Sequence, residues 1–241
     1  MGRTLIITDI HGNYDALCAV VADAGDAEAI WCLGDIVGYG AEPRACVDWV
    51  RDHCAIVLSG NHDYAVFEPG ILQDFNPNAA IAARWTFDQL AETDIHYLRS
   101  LPSLIERDDA VLAHGSPADP IWTYILSVVD ANEAFLAFTG NRCFVGHTHV
   151  AACYAQLDEA VYRVPLEYAM PFSLIDGRYI VNPGSVGQPR DRDPRAAYCW
   201  YDAASGEVEW RRVAYDIEAA QEKIHAAGLP ERLAARLARG Q

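Results

Sequence analysis

At 241 residues, 51% of them apolar, the chain is long enough to bury a substantial core, and no Ser/Gly linker, charged run or repeat divides it. Residues 1–241 therefore read as one domain. A formal charge of −16, from 34 acidic and 18 basic residues, repels a phosphate backbone and argues against stable nucleic-acid binding; it leaves room for a small phosphorylated partner drawn to bound cations. Seven cysteines, an odd number with no CxxC pair, predict buried reduced thiols. With no membrane-length apolar run and no signal pattern, they point to the cytoplasm and away from a membrane.

The first third alternates strand and helix. Residues 4–8 are apolar and β-branched and predict a strand ending in Asp9-Ile10-His11-Gly12. Asn13 is a suitable N-cap for a helix through Leu17, Val20, Val21 and Ala24, which Gly25 ends. A second strand, 29–33, closes in Gly34-Asp35. Pro43 opens a second helix, on which Cys46, Val47 and Val50 share a face. A third strand, 55–58, runs into Ser59-Gly60-Asn61-His62-Asp63. Three strand–turn–helix units predict a parallel sheet, with its polar turn residues at the carboxyl ends, where open α/β sheets place ligands. The loop 68–78, rich in Pro, Gly and Asn, is a candidate lid, and helices are expected over 77–91 and 93–100. Strands at 110–113 and 143–146 lead into His114-Gly115-Ser116-Pro117 and His147-Thr148-His149. From 151 onward, short strands at 152–156, 161–164, 172–175, 179–181, 196–202 and 207–213 read as an antiparallel meander, a second sheet able to pack on the first. A helix over 216–226 and a short one after Pro230 finish the chain.

Asp9-x-His11 puts two metal-capable side chains at i and i+2, on one side of an extended segment, with Ile10 turned into the core. His147-x-His149 repeats the device with two imidazoles. Asp35, Asn61 and His114 each follow a separate apolar strand. Each motif alone has a plain structural reading: Asp-x-His is commonplace, His114 could belong to a turn, and Gly60–Asp63 could be an Asx turn feeding a helix. The ordered set carries the inference. Seven oxygen or imidazole ligands, with no cysteine among them, suit first-row divalent ions, manganese first, with iron, nickel or zinc as alternatives. Seven are too many for one tetrahedral ion and fit two ions sharing a carboxylate. Two carboxylates against two divalent ions leave a charge of about +2, which attracts phosphate and acidifies a bridging water toward ~7.

The series Asp9-Ile10-His11, Gly34-Asp35, Gly60-Asn61-His62-Asp63, His114 and Gly146-His147-Thr148-His149 resembles the calcineurin-like metallophosphoesterase superfamily, from residue 4 to about 190. The resemblance implies an α-β-β-α sandwich, two mixed sheets packed face to face and flanked by helices. It also implies that Asp9, His11 and His149 hold one metal, Asn61, His114 and His147 the other, and that Asp35 bridges. His62 would protonate the leaving oxygen, and an imidazole near neutral pKa suits that task. Protein phosphatases of the superfamily read GDxVDRG, whereas this chain reads Gly34-Asp35-Ile36-Val37-Gly38-Tyr39-Gly40. The Asp that would orient His62 and the Arg that would hold phosphate are missing; Asp63 is a possible substitute, although adjacent residues usually point apart.

The chain is instead similar to the compact bacterial and archaeal phosphodiesterase branch, through its His-Gly-Ser-Pro motif and Asn182–Arg190. That second motif is either a turn closing the second sheet or a cleft-bordering loop that brings Arg190 or Arg192 to phosphate. Trp122 and Tyr124 are either core residues or an aromatic wall for a nucleobase, and Asn61 and His62 are also candidate substrate contacts. The expected activity is hydrolysis of a small phosphodiester, nucleotide-derived ones among the candidates, by in-line attack of a metal-bridging hydroxide. Alternatives are a phosphomonoesterase, a nuclease, or an interaction scaffold such as the retromer subunit of the same fold. Oligomeric state has no signature in the sequence.

Overall fold

The computed structural model describes residues 2–107 and 110–241. The first part runs β1 (Thr4–Ile7), α1 (Tyr14–Ala24), β2 (Ala29–Cys32), α2 (Pro43–His53), β3 (Ile56–Val57) and α3 (Asn61–Phe67). A 3-10 helix (Pro69–Asp74), α4 (Pro77–Gln89) and α5 (Glu92–Ser100) follow, then β4 (Leu104–Arg107), β5 (Ala110–Ala113), α6 (Val128–Leu136) and β6 (Arg142–Phe144). The remainder is β7 (Ala152–Leu157), β8 (Ala160–Val164), β9 (Phe172–Ser173), β10 (Arg178–Asn182), β11 (Ala196–Asp202), β12 (Glu207–Val213), α7 (Ile217–Ala226) and α8 (Glu231–Leu237).

Two mixed six-stranded sheets result, ordered β3-β2-β1-β11-β12-β9 and β4-β5-β6-β10-β7-β8. β1, β2 and β3 are parallel, as the strand–helix alternation requires, and β11 adds to β1 antiparallel. In the second sheet β6 lies parallel between β5 and β10. The late strands therefore do not form one meander. β7, β8 and β10 belong to the second sheet, whereas β9, β11 and β12 complete the first. Turn signals report that a chain reverses, but not which of two sheets the next strand enters. Burial decides that: β11 is covered on both faces for six of its seven residues, which suits an interior place beside β1 and not a sheet edge.

The alternation of side chains builds four layers. Leu5 and Ile7 of β1, with Tyr198 and Trp200 of β11, pack outward against α1, α2 and α5. Ile6, Cys199 and Tyr201 point the other way and meet Leu112, Phe144, Cys153 and Val181 of the second sheet. On the far side, Val111, Cys143, Tyr154 and Ile180 are covered by Ala131, Ala134 and Phe135 of α6. Neither α6 nor β4 was expected from the sequence. The signal for α6 was present: Ser127 Oγ accepts from Asp130 N (3.2 Å), and Asp130 Oδ2 accepts from Ser127 N (2.9 Å), a capping box at S-x-x-D. All seven cysteines are free thiols; Cys18 is exposed, against the expectation of burial. Among the described residues, no helix is long and apolar enough to cross a membrane.

Candidate metal centre

The turns leaving β1 and β2 are zipped together beyond the strands: Asp9 N donates to Gly34 O (3.0 Å) and His11 N to Asp35 O (2.9 Å). At Gly34 any Cβ would lie 2.6 Å from Gly60 N, so only glycine lets the Asp35 and Asn61 turns approach. Asp9 and His11 do not share an extended segment as the i, i+2 spacing suggested. Both sit in the left-handed region (φ 53° and 51°), although Ile10 between them is fully buried as expected. Asp35, His147 and His149 are left-handed too, and such strain in non-glycine residues concentrates where side-chain direction is functional.

The structure brings six of the seven candidate ligands within reach of one another, and Asn61 lines the same cleft. Asp9 Oδ2 accepts from His147 N (3.1 Å) and Asp35 Oδ1 from His62 N (2.8 Å). The second oxygens, Asp9 Oδ1 and Asp35 Oδ2, are buried without a hydrogen-bond partner, and so is Asn61 Oδ1. Each imidazole is anchored from behind by a backbone carbonyl: His11 Nδ1 by Val37 O (3.0 Å), His114 Nδ1 by Leu33 O (2.9 Å), His147 Nε2 by Trp122 O (3.1 Å) and His149 Nδ1 by Gln188 O (2.7 Å). Those contacts take the N–H and leave the opposite nitrogen as an acceptor. The free nitrogens meet in pairs, His11 Nε2 with His149 Nε2 and His114 Nε2 with His147 Nδ1, each at 3.1 Å. Two lone pairs at that distance repel unless a cation or proton lies with them.

Two groups emerge. Ligand atoms of Asp9, His11, Asp35 and His149 lie within 4.8 Å of one another, as do those of Asp35, His114 and His147. Asp35 belongs to both, with Oδ2 3.4 Å from His11 Nε2 and 3.3 Å from His114 Nε2. The donor set, three orphaned oxygens and four aimed nitrogens, fits two divalent ions. Burial pushes Asp9 up to about 7, holds His11 and His149 well below the usual imidazole range, and lowers His147 to about 3. Burial also opposes charge on Asp35 and His114, but their mutual attraction outweighs it. Asp35 stays well below the carboxylate range, and His114 rises to about 9.

His62 lies beside this cluster in a cleft of about 280 Å³. Among the described residues, no hydrogen bond to its ring orients it. Its Nδ1 is buried and unpartnered, and its ring is wedged against Tyr39 (4.3 Å), Phe75 (4.8 Å) and His11 (4.9 Å). Burial lowers its pKa to about 4. Tyr124 stacks on His147 at 3.9 Å, and Trp122 meets Tyr64 edge-on at 6.3 Å. With exposures of 38% and 43%, Trp122 and Tyr124 are cleft wall and not core. Arg190 enters the cleft, its Nη2 near Gln188 Oε1 (3.1 Å) and Tyr39 Oη (3.4 Å), with Nε buried and unpartnered. Loop 68–78 is largely the 3-10 helix, and Asp74, Phe75 and Asn76 line the cleft.

Residues 3–206 match the calcineurin-like phosphoesterase superfamily domain. The chain belongs to that superfamily. It is 44% identical to a metallophosphoesterase from Sphaerobacter thermophilus of known structure, with a TM-score of 0.91 and 99% of each chain covered. An uncharacterized protein of Methanocaldococcus jannaschii is 39% identical across 98% of this chain and 97% of its own length. The symmetrical bis(5'-nucleosyl)-tetraphosphatase of Actinobacillus pleuropneumoniae is 27% identical over 74% of this chain and 65% of that enzyme. Membership makes the chain a phosphoester hydrolase in a family that typically binds two divalent metals and acts on small phosphorylated substrates.

Gly38 and Tyr39 stand where the protein-phosphatase pattern reads Asp-Arg. Asp63 does not orient His62; it accepts from Ile36 N (2.9 Å), Val37 N (3.1 Å) and Gly60 N (3.0 Å), and so shapes the turn instead. Packing replaces the missing orienter: a Cβ at Gly38 would collide with His62 Nδ1, and Tyr39, left-handed at φ 58°, lays its ring on His62. Arg192 is not among the residues lining the cleft; its N–H donates to Gly240 O (2.8 Å). The 182–190 segment borders the centre, since Ser185 Oγ donates to Asp9 O (2.8 Å) and Gly187 N to the same oxygen (2.9 Å). Sequence reasoning missed Tyr39, Phe75 and Arg236. Tyr39 was visible only as a departure from the phosphatase pattern; the other two come from segments with no motif.

Proposed function

We propose that Asp9, His11, Asp35 and His149 hold one divalent ion, that Asp35, Asn61, His114 and His147 hold a second, and that the chain hydrolyses a small phosphodiester. The observation that carries this reading is the convergence of three buried, unpartnered oxygens with four imidazole nitrogens whose opposite faces are tied to carbonyls. Ions held there would supply charge neutralisation at phosphoryl oxygens and acidification of water. Manganese is the proposed ion, with iron, nickel and zinc equally compatible in ligand type.

The chain's own residues do the rest. Arg190, with its unsatisfied Nε, takes a phosphoryl oxygen by a charge-assisted hydrogen bond. His62, neutral in its buried setting, donates a hydrogen bond to the leaving oxygen, and an adjacent phosphate anion raises its proton affinity. Trp122 and Tyr124 offer aromatic surface to a second ester arm, which a monoester lacks. A nucleotide-derived arm is supported by the tetraphosphatase among the relatives. Seven free thiols support a reducing, cytoplasmic setting. The test is to titrate Mn²⁺ into purified protein and compare bis(p-nitrophenyl) phosphate with p-nitrophenyl phosphate. Faster diester cleavage is expected. Preferred monoester cleavage overturns the diester assignment, and inactivity on both with every transition metal overturns the enzyme.

A further inference from the structure

The C-terminal helix carries a feature that the phosphodiesterase reading does not use. Leu233 and Leu237 of α8 pack into the cluster around Tyr39, Ala79, Ala220 and Ile224, so the helix is fixed relative to the centre. Arg232 and Arg236, one turn apart, and Arg239 just beyond then line a groove of about 580 Å³. Asn76 lines both this groove and the metal-side cleft. The two are also joined through Tyr39: the guanidinium groups of Arg190 and Arg236 lie 5.8 and 5.7 Å from its ring, which touches His62 and His11. This helix lies outside the matched domain, residues 3–206.

The groove's charge is unbalanced. Elsewhere Arg3, Arg195, Arg211 and Arg212 pair with Glu209, Asp193, Glu209 and Asp191. Among the described residues no side-chain carboxylate lines the groove or pairs with Arg232, Arg236 or Arg239. Arg236 Nε donates to the main-chain oxygen of Gln241, and burial together with the nearby Arg190 pushes its pKa down to about 10. Gln241 lines the groove and already occupies Arg236, so the positive charge left over sits on Arg232 and Arg239, with Arg236 and Arg190 close by; in a chain of net charge −16 this local excess favours binding of an anion.

We propose that this groove is a second anion subsite, which holds the distal phosphates of an oligophosphate substrate whose scissile phosphorus lies at the metal centre. The inference rests on the phosphoesterase reading and names its substrate class. An internal phosphate of such a chain carries two bridging oxygens, as a diester does. Hydrolysis adds one water across a P–O–P bond, releases two phosphorylated products and leaves the proton with solvent.

The deciding measurement is calorimetric titration of inorganic tripolyphosphate into the metal-free, full-length protein, for which the centre need not turn over. One tripolyphosphate per chain is expected, with orthophosphate at least about tenfold weaker. Arg232→Ala and Arg239→Ala, at exposed positions, should each weaken binding about tenfold. In the Mn²⁺-loaded protein, the double variant should lower the ratio of kcat/KM for a nucleoside tetraphosphate to that for bis(p-nitrophenyl) phosphate about 100-fold. No tripolyphosphate binding by the wild type, or affinity unchanged in the variants, overturns the subsite. So does a single-stranded DNA 12-mer that binds as tightly, since the groove would then follow a nucleic-acid backbone. If tripolyphosphate binds but no ester is cleaved, the phosphoesterase reading fails and the subsite stands.

Discussion

On the first sheet's side of the centre, the turns after β1, β2 and β3 present Asp9, His11, Asp35 and Asn61, and with them both carboxylates and the amide. On the second sheet's side, the turns after β5 and β6 present His114, His147 and His149, imidazole alone. One wall supplies both carboxylates and the amide oxygen beside a single imidazole, the other imidazole nitrogen alone. Neither wall completes a group: each cluster draws on both sheets, and Asp35 reaches across to His114. The centre therefore depends on the two sheets packing face to face, and its integrity reports on that packing.

Breaking the shared residue should have the largest effect. Asp35→Asn keeps the shape but removes the one carboxylate common to both groups. We expect loss of both ions by elemental analysis and a fall in kcat/KM of at least about 10⁴-fold. Retention of two ions would show that Asp35 does not join the walls. Single-sided changes come next. His149→Ala and His147→Ala should each leave one ion per chain and cut activity about 10³-fold, with different ions lost in the two variants. Loss of both ions in each case would mean that the groups are not separable.

His62 belongs to neither wall. His62→Ala is expected to lower turnover about 10²–10³-fold while both ions stay. Gly38→Ala should approach the same phenotype, because its Cβ would collide with the ring. Metal loss in His62→Ala would make that residue structural. The seam between the walls also sets a pH dependence. Burial lowers the pKa of His114, but Asp35 overrides it and raises the group to about 9, above the ordinary 6.5. In the metal-free protein this proton stabilises the fold fully below about 6.5, and the contribution is lost as pH rises through about 9. A bound ion must displace that proton, so apparent metal affinity should climb about tenfold per pH unit between those values. Competition titrations at three pH values check the slope; a flat profile would remove the His114 proton from the seam. The smallest effect is on the cleft wall: Tyr124→Ala should raise KM for an aromatic diester about fivefold with little change in kcat.

The same two-sided view explains what the sequence could tell. The first wall is built from local strand–turn–helix units, so hydrophobic runs ending in Gly34-Asp35 and Gly60-Asn61 marked both the strands and their chemistry. The second wall is assembled from distant segments, and nothing local says that β10 inserts between β6 and β7 while β11 goes to the first sheet beside β1. Side-chain direction was harder than residue identity. Asp9 and His11 are aimed by left-handed backbone and not by strand alternation, and tertiary hydrogen bonds to the neighbouring turn and to the 185–187 segment hold them there. Residues that act by packing were hidden for the same reason. Tyr39, Phe75 and Arg236 gain their meaning from what they touch, whereas Ser127-x-x-Asp130 had a local meaning that the sequence reading passed over.

The central claim is that both sheets share one two-ion centre through Asp35. Anomalous diffraction from crystals equilibrated with Mn²⁺ tests it most directly. The expected result is two peaks per chain, one among Asp9, His11, Asp35 and His149 and one among Asp35, Asn61, His114 and His147, with Asp35 in contact with both. A single peak, or two peaks of which only one touches Asp35, would contradict it.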